Sequence, residues 1–284
     1  GPLGIHDQLG DGGKGRVPVS NAGDANACRG KKGRVARAVT GESAAKAAGC
    51  TPGDVFLAST VVIGEPLDAG KFSHLLAGLV KDGKPDLWTE AAKAIMTTDT
   101  YAKALSSSVG DATITWVAKG SGMIEPNMAT MLSYIFTDAE FDAESLDRML
   151  RVAVDVSFNM LSVDGDTSTS DTCAILANGL AGPVDEIPFF TALVEGCVRM
   201  TELLARDGEG AEHLLRVGVR GATHDEEARR VATPIVNSPL VKTMVHGADP
   251  NAGRLPMALG KCFVFGIHPD TTDAWSNGLQ GVAG

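Results

Sequence analysis

The 284-residue chain is 44% hydrophobic and 21% charged, with a formal net charge of −10. These proportions support a sizeable core in one large domain or two small ones. The acidic balance excludes the basic footprint of a nucleic-acid or anionic-membrane partner, and no apolar run approaches the roughly 20 residues of a membrane span.

Aromatic residues are only 5%, so the core falls to Ala, Val, Leu and Ile. The five cysteines, Cys28, Cys50, Cys173, Cys197 and Cys262, are odd in number and none has CxxC spacing. Reduced, mostly buried thiols are expected, not a disulfide framework or zinc knuckle. The six histidines are scattered without metal-ligand spacing, so no metal is expected. The N-terminus lacks a basic start followed by an apolar core, so no secretory signal is expected and a cytoplasmic location is.

In chain order, the first thirty residues are Gly-rich and weakly patterned. Residues 41–49 (GESAAKAAG) read as a short helix closed by Gly. Residues 55–60 (VFLAST) read as a buried strand ending in two hydroxyls. Asp68 caps a predicted helix running to Val80, with Phe72, Leu75, Leu76 and Leu79 on one face. Another helix is expected over 87–95, ending in MTTDT. Residues 112–118 (ATITWVA) read as a strand, as do 131–136 and 172–177. Asp142 opens a helix with Leu146, Met149, Leu150, Ala153 and Val154 at helical spacing, and 190–206 forms a second amphipathic helix. Leu215, Val217 and Val219 alternate as a strand, and Thr223 with Glu226 matches a capping box. Alternating strands and helices predict a layered α/β protein.

Familiar catalytic motifs are missing. The Gly-Lys pair in GDGGKGR (10–16) is followed by Gly15, not by Ser or Thr, so the phosphate loop fails, and no Ser sits in G-x-S-x-G. SVDGDTSTSDT (162–172) does not match a calcium loop and reads as a hydrogen-bonding loop. KGSGMIEPNMATML (119–132) leaves two readings open. Gly-Ser-Gly and Pro-Asn are turn chemistry, with Thr130 merely opening a strand. Alternatively Thr130 is a nucleophile, freed by cleavage after the small Ala129 so that its own α-amine serves as base.

That segment resembles the self-processing segment of the ornithine acetyltransferase (glutamate N-acetyltransferase) family. ASTVVIGEPL (58–67), AIMTTDT (94–100), SVDGDTSTSDT, VNSPLVKTMVHGADPNAGR (236–254), NAGDANA (21–27) and DGEGA (207–211) resemble the same family, in family order. The resemblance implies an α-β-β-α sandwich built from two pieces, 1–129 and 130–284, cut between Ala129 and Thr130 and sharing one core. It implies acetyl transfer from N-acetylornithine to glutamate in arginine biosynthesis through an acetylated Thr130. Thr60 and the backbone N–H of Val61 match the oxyanion hole. Thr97, Lys119, Thr130 and Glu209 match substrate-binding positions, with Lys119 suited to a carboxylate. No cofactor is implied, acetyl-CoA being an alternative donor, and two copies of each piece would form a heterotetramer.

Three substitutions depart from the family pattern. Val61 replaces a Gly, and as a β-branched residue it is expected to keep φ negative. Ala252 stands in place of Trp, and Asp24 adds a charge. The chain is also shorter than family members, and the family's C-terminal Asn and Thr groups find no counterpart after Gly260. Amide or peptide hydrolysis by the same Thr, and a non-catalytic homologue with a binding role, stay open beside acetyl transfer.

Overall fold

The computed structural model describes residues 13–125, 131–168, 170–265, 274–276 and 279–281. Ala129 and Thr130 lie outside the described residues.

The α/β expectation holds, in four layers. Strand β1 (Val17–Asp24) pairs in parallel with β2 (Val55–Val62), joined by helix α1 (Gly30–Ala48). A second sheet has the order β3-β4-β5-β6, from β3 (Lys103–Val109), β4 (Ala112–Lys119), β5 (Leu132–Glu140) and β6 (Thr172–Pro183). Its pairs are antiparallel except β5 with β6, which run parallel around helix α4 (Ala143–Asp155).

Period-2 alternation sorts the side chains between layers. Ile114, Trp116 and Ala118 of β4 face α4 and α5 (Glu186–Arg206), where they join Met149, Leu193, Cys197 and Met200 in the main core. The opposite face presents Val117, Lys119, Tyr134 and Phe136. Val117 packs against Ala92 of α3 (Trp88–Ala94), and the Phe136 ring lies 4.9 Å from Trp88. The Tyr134 hydroxyl is 2.6 Å from that of Ser20, which ties this face to the first sheet. In that first sheet Val19, Val55 and Leu57 point the other way, into α1 through Ala44 and Ala45. The order is therefore α1, β1–β2, β3–β6, then α4 with α5. Because β4 is covered on both faces, it reads as a nearly continuous apolar run.

Other boundaries differ from expectation. The helix predicted over 41–49 starts at Gly30; only its end, with Gly49 at φ 64°, was signalled. The weakly patterned N-terminal stretch contains β1. Asp68 does cap a turn, accepting from Gly70 N, but two 3-10 turns follow before α2 (Leu76–Asp82), so the single helix to Val80 is broken. Leu215, Val217 and Val219 form no strand: they line the cluster of α6 (Asp225–Val236), α7 (Pro239–His246) and α8 (Arg254–Leu259) without ladder partners among the described residues. The predicted capping box shifts by one position. His224 is the N-cap, and Thr223 donates from both N and Oγ1 to Glu227, not Glu226. Residues 274–276 and 279–281 form a short hairpin of β7 and β8. All five cysteines are free, but only Cys197 and Cys262 are buried and Cys28 is exposed.

The tightest junction in the main core is Gly196 of α5 against Trp116. A Cβ at position 196 would lie 2.2 Å from the indole. Alanine would gain about 1 kcal/mol of helix propensity there, but overpacking a rigid ring costs about 1–3 kcal/mol. Gly196→Ala is expected to lower the urea midpoint, against the propensity scale; a raised midpoint would show that the indole moves aside freely.

Candidate active site

The seam between the two sheets carries the candidate residues. Thr60, near the end of β2, points away from α1 toward the second sheet. Lys119, the last residue of β4, points back, and its Nζ donates to Thr60 Oγ1 at 2.7 Å. Both are almost fully buried, at 1% and 2% exposure. Burial pushes the Lys119 ammonium down to about 8, against the opposing pull of Asp99 and Asp171. Lys119 is also the register partner of Leu132 on β5, so the pair sits beside the start of the strand that follows position 130.

The segment between β4 and β5 is pinned from three sides as far as Glu125. Gly120 N donates to Asp99 Oδ1 (2.9 Å), and Ser121 Oγ to the Asp207 carbonyl (2.6 Å). Met123 N and Ile124 N donate to the two oxygens of Asp164, at 2.6 and 2.9 Å. Glu125 accepts from Asn237 Nδ2 at 2.7 Å, and Asn237 in turn accepts from Ser162. After position 130, Met131 N donates to Asp171 Oδ1 at 3.1 Å, and Thr172 N donates to the Met131 carbonyl at 3.0 Å. SVDGDTSTSDT is thus a hydrogen-bonding loop, with an aspartate grip on each side of position 130.

Thr97 and Glu209 reach the same region through one buried cation. Lys103 Nζ donates to Asp99 at 2.6 Å and to Asp207 at 2.5 Å, all three side chains being at most 2% exposed. Asp99 also accepts from Thr97 N (3.0 Å), and Asp207 accepts from Thr100 N and Oγ1. Burial alone would raise the Asp99 carboxyl; its hydrogen bonds to Lys103, Gly120 and Thr97 outweigh that and hold it below the ordinary value. Two residues past Asp207, Glu209 N donates to the Ser121 carbonyl at 2.8 Å, and the Glu209 carboxylate is exposed. A Cβ at Gly122 would stand 2.6 Å from the Glu209 carboxyl carbon, so glycine is what lets the two segments touch.

Val61 departs from expectation. Its φ is +103°, in the region that favours glycine, although it is β-branched. Such a residue carries strain on the order of 1–3 kcal/mol. The geometry that a glycine would adopt freely is retained, and the 45%-exposed side chain projects outward.

The structure thus gathers Thr60, Thr97, Lys119 and Glu209 around the segment that leads to position 130. Asp99, Asp171 and Asp207 lay inside motifs singled out in the sequence, but their roles did not show there. Lys103 had no signal at all; it sits in KALSSSV, an unremarked stretch that forms β3.

A layered α/β protein with a buried Lys–Thr contact at the seam of its sheets is the class that the fold and site define. The chain belongs to the ArgJ family, which it matches over residues 2–283. It is 55% identical over 264 residues to the arginine biosynthesis bifunctional protein ArgJ of Mesorhizobium japonicum, and 50% identical over 264 residues to that of Brucella suis. Each alignment covers 88% of this chain and 64% of the relative, so the chain spans less than two thirds of their length. A crystal structure of the Bacillus halodurans protein of the same name shares 40% identity, with a TM-score of 0.46, over 49% of this chain and 68% of that one.

Two expectations follow. Lys103→Met removes the hydrogen-bonded counter-charge that two buried carboxylates share, a class of change that costs about 3–5 kcal/mol. A melting temperature close to wild type would show that the carboxylates find other partners. Burial also pushes the Asp171 carboxyl from 3.8 up to about 7, against the pull of Lys119 and the Met131 N–H. A carboxyl raised in the folded state contributes stability that is complete below the unfolded value and is lost as pH rises through the folded one. Wild type should therefore lose stability relative to Asp171→Asn between pH 3.8 and about 7. Parallel urea midpoints across that range would show that Asp171 is ordinary.

Proposed function

We propose that the chain is an acetyltransferase moving acetyl from N-acetylornithine to glutamate through an ester on Thr130, a step of arginine biosynthesis. The observation that carries this reading is the Lys119–Thr60 contact in register with the strand after Thr130. A hydroxyl that accepts from an ammonium has its own proton left to donate, and polarisation strengthens that donation. Thr60 is then an oxyanion donor, with the Val61 N–H as the second. In this reading Lys119 polarises Thr60 and also takes the substrate carboxylate, while Thr97 and the exposed Glu209 contact the rest of the substrate.

Processing comes first. The Thr130 hydroxyl adds to the Ala129 carbonyl, the C–N bond breaks as the ester forms, and water hydrolyses the ester. Ala129 keeps a carboxylate and Thr130 a free amine, whose ordinary pKa near 8 suits a general base. In transfer, that amine takes the hydroxyl proton as Oγ attacks the acetyl carbonyl. The amide bond breaks and ornithine leaves with the proton. The amine of glutamate then attacks the ester, N-acetylglutamate departs, and the hydroxyl regains its proton. No cofactor takes part; acetyl-CoA would act only as an alternative donor.

The pieces 1–129 and 130–284 would stay joined, since β4 and β5 flank the cut and pair along the sheet. The family resemblance implies two copies of each piece in a heterotetramer acting on small molecules in the cytoplasm. Among the described residues no helix is long and apolar enough to cross a membrane.

Purified protein given N-acetylornithine and glutamate should release ornithine and N-acetylglutamate in equal amounts, and should run as two bands under denaturing conditions. Thr130→Ala should stay uncut and inactive. Thr60→Ala should lose about 10²–10³-fold in turnover while still folding, with a somewhat lowered melting temperature because the buried Lys119 ammonium loses its hydroxyl partner. Acetate release without transfer would instead favour the hydrolase, and an intact inactive chain the binding role.

A further inference from the structure

We propose that Glu212, His213 and His246 form a surface site for a divalent transition-metal ion, with zinc the cation that the donor set suits. The sequence hides this group, because His246 lies far along the chain from the other two. The fold brings one ligand atom of each to within 4.8 Å of the others. His246 Nδ1 lies 3.6 Å from the Glu212 carboxylate, and the His213 and His246 rings meet edge-on at 5.9 Å. Two borderline imidazole nitrogens and one hard carboxylate oxygen make a donor set that zinc takes, with water in the fourth position. Tetrahedral bonds of about 2.0–2.2 Å bring ligand atoms to roughly 3.3 Å apart. All three side chains are exposed, so rotation about their own bonds closes the difference.

The backbones that carry them are anchored separately. His246 is the last residue of α7, whose Val241 and Met244 are buried in the cluster that also packs Leu215, Val217 and Val219. A cation there meets the negative end of the helix dipole. Glu212 and His213 follow a segment held by Asp207 on Lys103 and by Glu209 N on Ser121. The metal would clip the irregular run after Glu209 to α7, adding coordination to the apolar packing of Leu215, Val217 and Val219, which have no ladder partners among the described residues. This inference does not depend on the acetyl-transfer reading.

The test is a titration of tag-free protein with zinc against a chromophoric chelator, with cobalt absorbance as a second readout. One saturable equivalent in the micromolar range is expected. His213→Ala and His246→Ala should each weaken it by about tenfold or more. Zinc should raise the melting temperature of wild type but not of the double variant. Because the side chains are exposed, the metal-free melting temperatures should coincide, so loss of binding reads as loss of ligands. Equal zinc affinity in wild type and double variant, or no saturable binding in the micromolar range, overturns the proposal.

Discussion

An ammonium group buried between two carboxylates holds the candidate site together. Lys103 Nζ lies between Asp99 and Asp207, with the Tyr101 carbonyl at 3.5 Å and the Tyr101 ring centroid at 4.8 Å. Removing three charges from water is unfavourable by several kcal/mol per ion, and their attraction offsets this only when the remaining lone pairs are also used. Here they are. Asp99 takes the N–H groups of Thr97 and Gly120, and Asp207 takes both donors of Thr100. Three stretches far apart in sequence, TTDT, KGSG and DGEG, thereby share one fixed point. A hydrophobic replacement could match the volume but not fix three backbones at once.

The second organising element is the face between the two sheets. Most of it is apolar or tied by hydroxyl pairs such as Ser20 with Tyr134. At its end it turns polar, where the β2 and β4 termini bring Thr60 and Lys119 together. An ammonium so placed has a weakened hold on its proton and a hydroxyl as immediate partner. The strained backbone of Val61 directly after Thr60 belongs to the same local design. The chain keeps a glycine-type turn at a position where the side chain opposes it, which fits a constraint imposed by the surroundings.

Much of this was legible in the sequence where the signal is local. Strand β4 and helices α4 and α5 announced themselves through hydrophobic periodicity, and Asp142 through its capping position. Elements that depend on distant partners did not. Strand β1 carries Ser20, Asn21 and Asp24 among its eight residues, and Ser20 meets the Tyr134 hydroxyl across the seam. Strand β3, with three consecutive serines, is a strand because β4 pairs with it along its whole length. Leu215, Val217 and Val219 alternate as a strand should, yet no neighbouring strand meets them among the described residues, and they serve only as packing. In the site, motif residues such as Thr60 and Lys119 were identifiable as candidates, whereas their contact was not. Lys103 was invisible, since a lysine in a serine-rich stretch looks solvated until the fold places two aspartates beside it.

The pairing of β4 with β5 has a consequence for how the protein can come apart. Six register pairs, from Ile114 with Thr137 to Lys119 with Leu132, join strands that stand on either side of position 130. While the chain is continuous, that ladder closes a short loop, and reassembly after unfolding is a unimolecular event. With the backbone broken between them, the same ladder joins two polypeptides. Unfolding then releases two molecules, its midpoint depends on protein concentration, and recovery requires a second-order encounter. One backbone bond therefore separates a fold that repairs itself from one whose native state, once lost in dilute solution, is regained slowly.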